Sequence, residues 1–146
     1  MPGWKVHLGF GATAGLAAFI LFSEKTGIGL NFNPKALIIF ISIVIIGSLF
    51  PDLDIRNSKI FGVFFGAATI TIIISFVRGY LYLGITTTLV LAAFSYMQHR
   101  GILHSIAVLL VTALIVYTAT LNSVYAFIWI ICYFSHLLLD RELRLI

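Results

Sequence analysis

The sequence predicts an all-α, polytopic transmembrane helix bundle of about six spans, with both termini on the same side of the membrane. Three observations carry that expectation. The chain has 146 residues, of which 61% are apolar and 10% charged, whereas a typical soluble domain is roughly 25% charged. Its mean hydropathy is +1.12. Apolar segments at about residues 8–22, 36–50, 60–77, 80–97, 102–121 and 124–140 follow one another to the end. They are continuously apolar and do not alternate, so helices that satisfy their backbone internally are expected, not barrel strands. This length suits one domain, and residues 1–146 are expected to form a single integral membrane domain.

The first span opens from "MPGWKVHLGFGATAGLAAFILF". One lysine before an apolar run resembles a secretory signal, but similar runs continue along the chain and no small-residue cleavage site precedes a polar domain. An uncleaved first span is expected. Its "GFGATAGLAA" stretch, and "GVFFGAA" in the third span, offer small residues that allow close helix approach. The second span, "ALIIFISIVIIG", is rich in β-branched residues, yet lipid enforces intrahelical hydrogen bonds whatever the local propensity. "SEKTGIGLNFNPK" and "FPDLDIRNSK" connect the first three spans, Arg78-Gly79 forms a tight turn before the fourth, and Asn122-Ser123 another before the sixth. Several segments are shorter than the roughly 20 residues that cross a hydrocarbon core. Flanking residues then dip below the interface, or the bilayer thins around the bundle. The single cysteine, Cys132, lies inside "AFIWIICYF" and is expected to be a packed thiol.

The net charge is +4, from nine basic and five acidic residues. So few charges do not make a nucleic-acid surface, and they are better read through their position against the bilayer. With six crossings, Lys5, Arg56, Lys59, Arg100, Arg141 and Arg144 fall on the side of the N-terminus, and Lys25, Lys35 and Arg78 on the other. The positive-inside tendency then places both termini in the cytoplasm, in the plasma (inner) membrane.

The same parity gathers the residues that carry chemistry. His7 starts the first span, Asp52 and Asp54 end the second, His99 and His104 flank the start of the fifth, and His136 and Asp140 end the sixth. All four histidines and all the aspartates therefore fall at one membrane face. In "HLLLD", His136 and Asp140 are four apart and share a helix face. In "PDLD", two carboxylates beyond a proline repel one another unless a cation or base compensates them. His104 is expected a little more than one turn into the fifth span, where an ionisable residue needs a partner. His99 and His104 are five apart, so a break near Gly101 is expected if they serve one site.

Taken singly, each residue has a plainer role: an interfacial histidine, a solvated loop acid, a surface ion pair between Asp140 and Arg141 or Arg144, or a topology-setting Arg100. Jointly those roles leave the same-side placement of seven residues to chance. Imidazoles mixed with carboxylates suit one or two divalent transition-metal ions, zinc first, with manganese or iron as alternatives. Such a site suits metal-assisted hydrolysis. An acid left off the metal can move a proton, Asp54 being favoured, and Arg100 can hold a phosphate.

The ordered set "HLGFGATAG" at 7–15, "GSLFPDLDIRNSK" at 47–59, "HRGILHS" at 99–105 and "YFSHLLLD" at 133–140 resembles the bacterial and archaeal family of predicted membrane-bound metal-dependent hydrolases. The resemblance runs nearly end to end. It implies that His7, Asp52, Asp54, His99, His104, His136 and Asp140 bind metal, while Arg100 and Ser105 match the motif without a firm role. Two departures stand out: Leu103 replaces the family's usual threonine, and the chain stops after "RELRLI" where relatives often continue. The function implied is hydrolysis of a phosphoester or other ester in a membrane lipid or lipid-linked substrate. The alternatives are a metal-binding or metal-transporting protein, with Thr86, Thr87 and Thr88 along a path, and a noncatalytic lipid-binding or assembly protein with a structural metal.

Overall fold

The computed structural model describes residues 3–26, 34–54, 58–96 and 102–140. These form six α-helices and two 3-10 turns: α1 (Trp4–Thr26), α2 (Pro34–Leu49) continued by a 3-10 turn (Phe50–Asp54), α3 (Lys59–Val77), α4 (Leu81–Tyr96), a second 3-10 turn (Ile102–His104), α5 (Ile106–Thr120) and α6 (Ser123–Asp140). No sheet occurs among the described residues. Among the described residues, four stretches are long and apolar enough to cross a membrane: Trp4–Phe22, Pro34–Leu53, Lys59–Val77 and Ser123–Asp140. The α4 and α5 helices are apolar but shorter. At 1.5 Å per residue, the 16 residues of α4 extend about 24 Å against a core of about 30 Å.

The chain divides into two compact units, residues 1–51 with 104–146 and residues 52–103. In the first, α6 packs against α1, α2 and α5, and α1 against α2. Its sequence explains that central place. Tyr125, Ile128, Trp129, Cys132, Tyr133, His136 and Leu137 recur at helical spacing, and all are buried. Around this stripe, Phe19, Ile43, Val44, Leu109 and Ala113 complete one hydrophobic cluster. The outward faces stay apolar, with Ile38, Leu110 and Leu114 exposed, as expected of helices bathed in lipid.

Glycines set how closely α1 and α2 approach α6. A Cβ on Gly15 would lie 2.8 Å from Cys132 Sγ, and one on Gly47 would lie 3.2 Å from Cys132 Cβ. Cys132 is the packed thiol the sequence predicts, with its sulfur 3.4 Å from the Gly11 carbonyl oxygen. Trp129 is fixed to α5 through Nε1–H, which donates to Thr112 Oγ1 at 2.9 Å. The last turn is built by Leu121 in the left-handed region (φ 51) and by Asn122, whose Oδ1 accepts the Val124 N–H at 2.9 Å and caps α6.

The second unit is the hairpin of α3 and α4. Ser58 caps α3 by accepting the Phe61 N–H at 2.9 Å. At the hairpin's tip Gly79 adopts φ +76, and the Gly79 and Tyr80 amides donate to the carbonyls of Phe76 and Ser75. This paired ending needs a residue that tolerates positive φ, which is the turn expected at Arg78-Gly79. The small residues of "GVFFGAA" behave differently from expectation: a Cβ on Gly62 or Gly66 would meet nothing within 4 Å among the described residues. The hydroxyls of Thr86 and Thr88 donate at 2.8 Å to carbonyls one turn back, a backbone role common for such residues in apolar helices.

Two sequence boundaries shift. The α1 helix begins at Trp4, so His7 lies one turn inside it. The α5 helix begins only at Ile106, so His104 sits in the 3-10 turn before the helix and not a turn inside the span. The cause is Ser105, which is extended (φ -106, ψ 150) and accepts the Val108 N–H on its side chain. An N-cap fixes where the helix can start.

Candidate metal centre

The centre lies in the first unit, where three separate chain segments bring imidazoles to one carboxylate. Near its end α6 carries His136 and Asp140 one turn apart, with Nε2 of the first 3.4 Å from Oδ2 of the second. His7 approaches from α1, its Nε2 3.2 Å from Asp140 Oδ1. His104 approaches from the turn before α5, its Nε2 3.6 Å from Oδ2. The His7 and His136 rings stack at 3.9 Å with an interplanar angle of 20°, and His104 meets His136 edge-on at 5.7 Å. All three imidazoles are buried, and the Asp140 carboxyl is 2% exposed.

The break that ends α2 orients His136. Pro51 has no N–H with which to continue the α-helical ladder, and the chain tightens into the 3-10 turn Phe50–Asp54. Just ahead of that break, the Ser48 carbonyl oxygen lies 2.7 Å from His136 Nδ1. A carbonyl can only accept, so Nδ1 carries the proton, and in the neutral ring Nε2 is left as an acceptor. That acceptor faces another, Asp140 Oδ2. Two such atoms stay this close when a proton or a metal cation lies between them, and a carbonyl on the far nitrogen is the usual arrangement of a metal-ligating histidine.

The distances fit such an ion. Two ligands each about 2.0–2.1 Å from a tetrahedral cation are about 3.4 Å apart, close to the 3.4 and 3.6 Å from His136 and His104 to Oδ2. One ligand atom each from His104, His136 and Asp140 lies within 4.8 Å of the others. The spacing also exceeds the roughly 2.7–2.9 Å of a charge-assisted hydrogen bond. Asp140 Oδ1 is buried and accepts no hydrogen bond among the described residues, which leaves it available as a ligand.

Asp52 is buried in the Phe50–Asp54 turn and opens the second unit, where its carbonyl accepts the Ser58 hydroxyl at 3.0 Å. Asp54 ends that turn, and its side chain lies outside the described residues. His99, Arg100 and the break expected near Gly101 also lie outside them. Leu103, which stands where the resembled family usually has threonine, is buried at 3%.

Sequence reasoning missed Ser48, whose contribution is a backbone carbonyl. It left Ser105 without a role, and the structure gives it the cap that sets His104. A serine one residue after a motif histidine and just before an apolar run is a readable N-cap signal. Ser105→Ala is expected to lower unfolding stability by about 1 kcal/mol. It should also weaken metal retention, because His104 loses its fixed exit from the turn. Thermal unfolding in detergent with metal analysis checks both.

The family described as YdjM inner membrane protein matches residues 1–141. No curated protein and no solved structure matches the chain.

Proposed function

The chain belongs to the YdjM inner membrane protein family, and from that premise we propose that it is a membrane-embedded, metal-dependent hydrolase. Its substrate would be a phosphoester or other ester of a lipid or lipid-linked molecule, cleaved near the cytoplasmic interface. The observation that carries the reading is the facing of two acceptors, His136 Nε2 and Asp140 Oδ2, inside a buried group of three imidazoles and one carboxylate. A divalent ion bound there, zinc being favoured over manganese or iron, would polarise a phosphoryl or carbonyl oxygen and lower the pKa of bound water.

His7, His104, His136 and Asp140 are the ligands that the first unit supplies in this reading. Asp52 and His99 complete the set, while Asp54, a ligand in the resemblance, is left off the metal to serve as the base. Support for Asp52 comes from chain continuity, since it follows by four residues the Ser48 carbonyl that contacts His136. Arg100 would orient an anionic headgroup through charge-assisted hydrogen bonds. Asp54 would take a proton from the attacking water and return it to the leaving oxygen. The apolar outer faces favour a lipid substrate, because a bilayer molecule reaches such a site without a soluble domain to bind it. The hydroxyls of Thr86 and Thr88 are engaged by their own backbone, which weighs against a transport path through that helix.

The test is Asp54→Asn in protein purified with its metal and assayed on mixed micelles of phosphatidic acid, phosphatidylglycerol and phosphatidylethanolamine. General acid–base work contributes about 10²–10⁴-fold. A rate loss of that size, with metal content and fold retained, is the expected result. Unchanged turnover would remove Asp54 from the chemistry. Folded wild type that binds metal yet cleaves none of these lipids or other esters would leave a structural metal as the better reading.

A further inference from the structure

We propose that Asp140 bridges two cation positions, one shared by its Oδ2 with His104 and His136 and the other by its Oδ1 with His7. The proposal rests on reading this cluster as a metal centre and goes on to fix how many ions it holds and which residue serves the second.

The carboxylate is divided between its partners. Oδ2 meets His136 at 3.4 Å and His104 at 3.6 Å, whereas Oδ1 meets His7 at 3.2 Å. His7 therefore meets the oxygen of the acid opposite to the one that His104 and His136 share. The rings tell the same story. Those of His7 and His136 lie nearly parallel, 20° apart with centroids 3.9 Å from one another, while each directs Nε2 to a different oxygen of Asp140. Two side-by-side imidazoles addressing the two oxygens of one carboxylate define two neighbouring positions.

The electrostatics agree. Asp140 Oδ1 is buried and accepts no hydrogen bond among the described residues. A cation on one oxygen only would leave the other desolvated without a comparable counterweight, which is costly in a low-dielectric interior. The positions also differ in character. From the first unit, the first position takes two imidazoles and a carboxylate oxygen, a set that suits zinc. The second, with one imidazole and one carboxylate oxygen here, suits a divalent ion of the manganese kind that keeps bound water.

The experiment counts metal on intact, detergent-purified protein dialysed against manganese or zinc, and records the electron paramagnetic resonance of the manganese form. Wild type is expected to hold two equivalents per chain with an exchange-coupled manganese signal. His7→Ala should hold one equivalent, with the coupling lost and an isolated-ion signal in its place. His7→Gln, which keeps most of the side-chain volume, serves as a second variant if the alanine protein unfolds. One equivalent in wild type, or two retained in a folded His7 variant, overturns the bridge. Folded wild type that binds neither metal instead defeats the metal-centre reading beneath it.

Discussion

Asp140→Asn is expected to strip the protein of retained transition metal while leaving its helices folded. Asp140 is the acid that all three described imidazoles approach, at 3.2, 3.4 and 3.6 Å. An amide of the same shape keeps the volume but loses the charge and one acceptor oxygen. Losing a hydrogen-bond partner one step out from a metal already costs about 10–100-fold in affinity, so losing this ligand should cost more than about 100-fold. The folded state should tolerate the change, because a neutral amide can donate to an imidazole nitrogen. Metal content after dialysis, read beside the far-ultraviolet helical signal, checks the expectation. Full metal content in Asp140→Asn would remove this acid from the ligand set.

The second large effect is expected from Gly11→Ala. A Cβ at Gly11 would lie 2.7 Å from Ser48 Cβ and closer still to Ser48 Oγ. Ser48 is fully buried, and its hydroxyl is tied to the Val44 carbonyl at 2.6 Å, so the helices must separate to admit a methyl group. Overpacking of this kind costs about 1–3 kcal/mol, more than the about 1 kcal/mol by which alanine outdoes glycine as a helix former. The shift should reach the metal centre as well, because the carbonyl of Ser48 contacts His136 Nδ1. Gly9→Ala on the same helix is the control, since a Cβ there meets nothing within 4 Å. Lower thermal stability and weaker metal retention in Gly11→Ala, with neither in Gly9→Ala, are the expected results.

Much of the architecture was legible because lipid simplifies the code. Long apolar runs without alternation can only satisfy their backbones as helices, and the six runs became six α-helices even where β-branched residues dominate α2. The i,i+4 pairing of His136 with Asp140 followed from helical spacing alone. Turn chemistry was equally readable at Gly79, where positive φ is needed, and at Asn122, whose side chain caps α6.

What remained hidden depends on packing partners and on backbone atoms. Composition could not tell the glycines of α1 from those of α3. Gly11 and Gly15 face close neighbours, while Gly62 and Gly66 do not. Nor does any residue type announce that the Ser48 carbonyl will turn to a histidine 88 positions away. His104 was misplaced for a local reason, since the apolar pattern continues through Ile102 and Leu103 although Ser105 delays the helix. The convergence of His7, His104 and His136 on Asp140 was foreseen only as membranes sort residues, by side. The division of that acid between its two oxygens required coordinates.

The most direct test of the metal centre is an anomalous diffraction map from crystals of the wild-type protein, collected at the absorption edge of the metal it retains. A peak is expected bounded by Nε2 of His104, Nε2 of His136 and Oδ2 of Asp140, at about 2.0–2.2 Å from each. A well-ordered, metal-replete crystal with no peak there, and with His136 Nε2 hydrogen-bonded directly to Asp140, would contradict it.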